Sequence, residues 1–198
     1  TMKKFINLFV LVFVGTFALF LISCNGKQKE NSISDVSQKE LDSLRKQVNE
    51  MLAASKIVEE NLIKFDTLDF KIFSRQDWQR FHESHDKNIT VHFPDGHTTE
   101  GLDVHLKDMA AMFVYAPDTR IEVHPIRLGQ GNLTAVTGIM EGTFTEPMPI
   151  GNNQFIKPTG KKFKIPMATF GIWKDGVMIE EYLYWDNKTY MEQMGIGK

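Results

Sequence analysis

KKFKIPMATFGIWKDGVMIEEYLYWDNKTYMEQMG, residues 161–195, decides the fold. Lys162 to Trp173 reads as a long β-strand. Lys174-Asp175-Gly176 supplies a tight turn, since an Asp-Gly pair tolerates the positive φ angles of a two-residue hairpin. Val177 to Trp185 is a second long strand, and Thr189 to Met194 a short closing helix stopped by Gly195. Two long strands on a two-residue turn must lie antiparallel. Working backward, Leu133 to Thr145 reads as another long strand, whose Gly138 and Gly142 predict a bend or bulge. Arg120 to Leu128 alternates too, with Ile121, Val123, Pro125 and Arg127 on one face. Gly129 to Asn132 is a turn, and Met148 to Lys161 is a loop carrying Pro149 and Pro158.

Helices come before these strands. Ser37-Gln38-Lys39-Glu40 has the form of a capping box, in which each side chain satisfies a free N–H at a helix start. Leu41, Leu44, Val48, Met51, Val58 and Leu62 follow as one apolar stripe. That stripe predicts a long first helix packed on its own sheet, or alternatively a coiled-coil seam. Gln76 to Glu83 is a second helix capped by Ser74. Asn88 to Phe93 is a strand, Pro94-Asp95-Gly96 a turn, and His97 to Glu100 a short strand. A helix then runs from Gly101 through Tyr115, with Leu102, Leu106, Met109, Ala110 and Phe113 on one side. Helices first and long antiparallel strands last make an α+β fold, with helices covering one face of a strongly curved sheet.

The start of the chain is of another kind. Lys3 and Lys4 precede an apolar run of about 18 residues, Phe5 to Ile22, close to the length of a membrane span. It ends at Leu21-Ile22-Ser23-Cys24 and is broken at once by Asn25-Gly26-Lys27. A charged start, an apolar middle and a small-residue end describe a signal peptide. The last four residues resemble the lipobox of bacterial lipoproteins, which implies diacylglycerol on Cys24. The expected organisation is a signal peptide over residues 1–23, a tether over 24–36 and one domain over 37–198. The expected location is the bacterial cell envelope, anchored to a membrane through lipid on Cys24, at the outer membrane or periplasmic face.

Formal charge is −2 for the whole chain, and two units more negative without Lys3 and Lys4. With no clustered basic surface, nucleic acid is excluded as a partner. The single cysteine allows no intramolecular disulfide, so stability must come from the core. There is no phosphate loop, nucleophile elbow or dinucleotide fingerprint, and no cofactor is expected.

Gly160 to Pro166, Asp175 to Asp186 and Met191 to Gly195 together resemble the SnoaL-like polyketide cyclases of the nuclear-transport-factor-2-like superfamily. The shared elements are a Gly-Lys step into a strand, an Asp-Gly hairpin, a strand ending in Trp-Asp and a Gln-Met-Gly helix end. Thr90 to Gly96, followed by Glu100-Gly101, fits the family's first strands. The resemblance covers roughly residues 50–196. It implies a cystatin-like cone, a bent antiparallel sheet wrapped over helices with an apolar pocket at its mouth. It also implies a homodimer paired through sheet faces. In the cyclases a last-strand aspartate beside the Trp works with a histidine on the preceding strand. Carried over, these fall on Tyr184 and near Thr169, neither of which titrates near neutrality. The resemblance thus implies the fold and the pocket without the family's proton-transfer pair.

On the last strand Glu180, Tyr182 and Tyr184 share a face by period two. If that face looks inward, Tyr182 and Tyr184 wall the pocket with Met167 and Thr169 opposite them. Such a wall suits a small, flat, apolar molecule held by a few polar contacts. Glu180 is then the candidate general acid or base, with Glu141 and His124 as further candidates. The alternative parity builds the wall from Ile179, Glu181, Leu183 and Trp185. His82, His85, His92 and His97 lie close in sequence, but the His-Glu-x-x-His pattern of helical zinc sites is absent. They read as solvated or hydrogen-bonded side chains, and no metal is expected. The function read first is a lipid-anchored module that only binds a small apolar ligand; the alternatives are an enzyme of isomerase, cyclase or hydrolase type and an interaction protein of an envelope complex. A carboxylate buried against the pocket favours the enzyme; an all-apolar lining favours the binder.

Overall fold

The computed structural model describes residues 26–197, with side chains from residue 35 onward. Cys24 and the expected signal peptide lie outside the described residues. Among those described, no helix is long and apolar enough to cross a membrane. The chain divides after Asn49 into two compact units. The first contains the start of helix α1 (Gly26–Thr67), where Leu41, Leu44 and Val48 are all exposed. The second, from Glu50, contains the rest of the fold. There α1 buries Leu62 and Phe65, while Met51 is 72% exposed. The expectation of a stripe packed along its whole length is therefore corrected. Among the described side chains of α1, only those of its last turns are buried.

α1 runs into a single π-helical turn, Leu68–Phe73. Ser74 does not cap the next helix as expected. Its hydroxyl donates to the carbonyl of Asp69 (2.6 Å) and accepts from Ile121 N–H (2.9 Å), tying the π turn to the sheet. A 3-10 turn, Trp78–Glu83, replaces the predicted second helix. Strands β1 (His85–His92) and β2 (Thr98–Glu100) then lead into helix α2 (Leu102–Tyr115). The predicted strand over 120–128 is split into β3 (Arg120–Ile121) and β4 (Ile126–Gln130). The long strands follow as β5 (Leu133–Thr143), β8 (Lys162–Lys174) and β9 (Val177–Trp185). Between them the expected loop carries a small hairpin, β6 (Met148–Pro149) with β7 (Phe155–Ile156). Helix α3 (Asn187–Gln193) closes the chain, its first N–H groups capped by the Asp186 carboxylate.

One curved sheet runs β2-β1-β9-β8-β5-β3, with β4 also on β5. Its pairings are antiparallel except β1 against β9. The β8–β9 turn needs left-handed backbone at both centres, and Asp175 (φ 51°) and Gly176 (φ 80°) provide it. β5 and β8 pair without interruption from Leu133↔Ile172 to Thr143↔Lys162, so Gly138 and Gly142 make no bulge. Gly142 is small because a Cβ there would lie 2.6 Å from the Phe163 ring. The bulge falls in β9 instead. Trp173 pairs with Met178, and Ile172 pairs with Glu180, so Ile179 is the extra residue. Met178 and Glu181 consequently face the same way, and the alternation inverts between them. The core between sheet and helices is built on Phe65, Ile89, Met140, Phe163, Ile165 and Met178, each at most 2% exposed.

Candidate functional site

Three elements deliver one polar cluster to the floor of an apolar cavity. β1 begins with His85, because the preceding 3-10 turn closes on it. Ser84 Oγ donates its proton to Phe81 O (3.2 Å) and itself lies 2.9 Å from His85 Nδ1. A hydroxyl has one proton to give, so here it accepts Nδ1–H and leaves Nε2 to face the cavity. α2 contributes His105 one turn from its start, with Met109 and Met112 further along the same face. β9 contributes Glu181, on the face that the Ile179 bulge turns inward together with Leu183 and Trp185.

Glu181 Oε2 lies 3.7 Å from His85 Nε2 and 3.4 Å from His105 Nε2. The side chains are 5%, 0% and 2% exposed. The 3.7 Å contact is an ion-pair distance rather than a hydrogen bond. His85 Nε2, His105 Nδ1 and Glu181 Oε2 are all buried without a hydrogen-bond partner. Unsatisfied buried groups are rare in folded proteins, and three on side chains that line one cavity mark a place prepared for a polar ligand group. Burial pushes His105 down to about 4, against the attraction of Glu181 and aided by His85, so it is neutral at pH 7. Burial alone would raise the Glu181 carboxyl, but His85 and then His105 outweigh it and hold it below its ordinary value. A buried anion thus sits beside a neutral imidazole, and this is the charge pattern of an acid–base site.

The walls are apolar: Leu68, Phe73, Phe81, Met109, Met112, Ile121, Met140, Met167, Leu183 and Trp185, with Asp69 and Thr169 as the other polar members. Atom-free space is about 460 Å³ with the mouth included, but only about 40 Å³ of it is open to the centre of a water molecule. A ligand must therefore be slim or displace flexible methionines. His85, His105 and Glu181 could also hold a metal ion, since one ligand atom from each lies within 4.8 Å of the others. The imidazole rings are stacked, 5.4 Å apart and 24° from parallel, so their in-plane lone pairs do not converge well on one ion.

Met167 and Thr169 line this cavity. Tyr182, Tyr184 and Glu180 do not, and their expected inward parity is corrected by the Ile179 bulge. Tyr184 is 52% exposed. Tyr182 stacks on His92 at 4.2 Å and donates its hydroxyl to Glu180 (2.7 Å). Glu180, also 2.9 Å from His92 Nε2, is held below its ordinary value by the Tyr182 and His92 contacts, on the outer face. The four clustered histidines disperse as well. Only His85 reaches the cavity, while His82 bonds Gln79 O, His97 bonds Asp95 and His92 joins Glu180. Glu141 pairs with Arg120 at 2.6 Å and Lys164 at 3.3 Å. His105 went unread, although its i, i+4 spacing to Met109 places it on the buried side of α2.

A family model described as SnoaL-like polyketide cyclase matches residues 67–194. No curated protein matches the chain. Among solved structures, a protein from Jannaschia sp. CCS1 assigned to the SnoaL-like polyketide cyclases has a TM-score of 0.62 at 19% identity, over 71% of this chain and 94% of that one. A SnoaL-like polyketide cyclase from Agrobacterium tumefaciens gives 0.52 at 13% identity, over 70% and 98%. A protein of ketosteroid isomerase-like fold from Catenulispora acidiphila, in complex with trimethylamine, gives 0.50 at 13%, over 63% and 87%. At these identities the structural likeness is one of fold.

Proposed function

The chain belongs to the SnoaL-like polyketide cyclase family, and from that membership we propose that it catalyses proton transfer on a small, largely apolar carbonyl compound, as an isomerase or cyclase. The observation that carries this reading is the buried Glu181 carboxylate, unpartnered at Oε2 and flanked by two imidazoles at the floor of the cavity. A site meant only to hold an apolar ligand gains nothing from it, because a buried polar group without its partner is destabilising.

The substrate carbonyl oxygen accepts a hydrogen bond from His85 Nε2–H. Glu181 then takes a proton from the adjacent carbon, and the electron pair moves to oxygen as an enolate. That charge develops beside His85 in a dry site, where a placed donor is worth about 10²–10³ in rate. The enolate is either reprotonated at another carbon or attacks a second carbonyl to close a ring. Glu181 returns its proton at the end of either path. His105 stays neutral beside the carboxylate. The family's aspartate–histidine pair is thereby replaced by a glutamate three positions earlier on the last strand and by histidines from β1 and α2. Attachment to a bacterial membrane through Cys24 is part of the proposal; Leu21-Ile22-Ser23-Cys24 supports it.

The test is deuterium incorporation in D₂O into a panel of small cyclic 1,3-diketones and β,γ-enones, read by mass spectrometry. Wild type is expected to exceed Glu181→Gln by about 100-fold or more. Tight binding of panel members with no exchange above the variant would refute catalysis and leave a binding module.

A further inference from the structure

A second carboxyl, Asp69, lines the same cavity, and its surroundings are unlike those of Glu181. His124, in the loop between β3 and β4, is wedged between two aspartates of the α1–π-turn junction. Its Nδ1 lies 2.8 Å from Asp66 Oδ1 and its Nε2 lies 2.8 Å from Asp69 Oδ2. The His124 side chain is 1% exposed, Asp69 12% and Asp66 27%. Phe65 and Phe70 flank the ring, and Arg127 holds the far oxygen of Asp66 at 3.4 Å.

Both nitrogens face carboxylate oxygens at hydrogen-bond distance, and a neutral imidazole has only one N–H. Satisfying both contacts takes one more proton, carried on Nε2 or on Asp69 Oδ2. Asp66 fixes the Nδ1 proton, so the Nε2 proton is the one free to move. A structural ion pair alone would not need its second carboxyl on the cavity wall.

We infer that Asp69 is the proton donor of the cavity, with His124 as its proton reservoir and Asp66 as the group that sets the His124 tautomer. This rests on the reading of the cavity as a proton-transfer site. At rest the extra proton sits on His124 Nε2; it moves to Asp69 Oδ2, and Asp69 gives its proton to the enolate that Glu181 has generated. Asp69 is then a carboxylate again and His124 a neutral ring with Nδ1–H on Asp66. The cycle closes when the proton held on Glu181 crosses the cavity to Asp69 and on to Nε2, so no outside proton or reductant is required. Burial raises Asp69 against the pull of His124, and the two carboxylates raise His124 against its burial. Two carboxyls on one cavity are thus driven in opposite directions, as separate acid and base roles require.

Two measurements on the full chain decide it. The first is the ¹⁵N NMR spectrum of labelled histidine. At pH 7 both nitrogens of His124 are expected to carry protons, and Asp69→Asn is expected to leave Nδ1–H alone. A His124 with a single proton in the wild type would overturn the inference whether or not any ketone reacts. The second is the pH dependence of deuterium exchange. The wild-type rate falls at alkaline pH as the reservoir empties. His124→Gln, whose amide preserves hydrogen bonding, lowers the rate about 100-fold and removes that alkaline limb. A lower rate with the limb unchanged would make His124 merely structural and also overturn the inference. A wild type that exchanges no ketone sinks the catalytic reading separately.

Discussion

Replacing His85 by Leu should be far more damaging than replacing Glu181 by Leu, although each removes one half of the same contact. With His85 gone, Glu181 keeps a carboxylate at 5% exposure and loses the contact that does most to hold its charge, while the remaining neighbour, His105, resists protonation. An uncompensated buried charge costs about 3–5 kcal/mol. With Glu181 gone, no buried carboxylate is left in the cluster to compensate, and Leu fills part of an already apolar cavity. That change is expected to lie within about 1 kcal/mol of wild type, or to stabilise. The double variant should recover most of the His85→Leu loss, a coupling of about 1–3 kcal/mol. Urea unfolding at pH 7 of a fragment from Glu50, with slopes compared to guard two-state behaviour, measures all three. If Glu181→Leu is as destabilising as His85→Leu, the cluster is a cooperative structural network and not a site held ready at the expense of stability.

Acid should weaken the fold through His105. Its ring is about 4 when folded and near 6.5 when free, so between those values the unfolded chain binds a proton that the folded chain refuses. Stability therefore falls as pH drops from about 6.5 to 4, by about 3 kcal/mol from this group, and His105→Leu should flatten that limb in unfolding curves. Tyr184→Phe, at an exposed position, should change stability by less than about 0.5 kcal/mol and leave deuterium exchange untouched; a loss of exchange would return Tyr184 to the cavity. Cys24→Ala should leave the protein unprocessed or soluble on fractionation of its bacterial host, and a normally cleaved, membrane-bound Cys24→Ala product would end the lipoprotein proposal.

The architecture was legible because its signals are long and local. The Asp175-Gly176 turn joins two strands of 13 and 9 residues, and such alternation admits few readings. The site was less legible, and one residue explains most of the difference. Period-two reading of β9 carries Glu180, Tyr182 and Tyr184 to one face correctly, but anchors that face on the wrong side. Ile179 sits opposite a gap in the β8 ladder, and no local composition announces a bulge at an isoleucine. Leu183 and Trp185 on the opposite face were the available hint. His85 and His105 are 20 positions apart in sequence, and only the parallel pairing of β1 with β9 and the seating of α2 over that edge bring them to Glu181. Asp66 and Asp69 went unread, because the passage from α1 into the π turn that sets both beside His124 has no sequence signature.

Glu180 and Glu181 are adjacent in sequence and lie on opposite faces of the sheet, which makes them the sharpest comparison. The measurement is the rate of deuterium incorporation into the best ketone of the panel by Glu180→Gln and Glu181→Gln, side by side at pH 7. The account predicts a Glu180→Gln rate equal to wild type and a Glu181→Gln rate lower by about 100-fold or more. Equal rates for both variants, or a loss confined to Glu180→Gln, would contradict it.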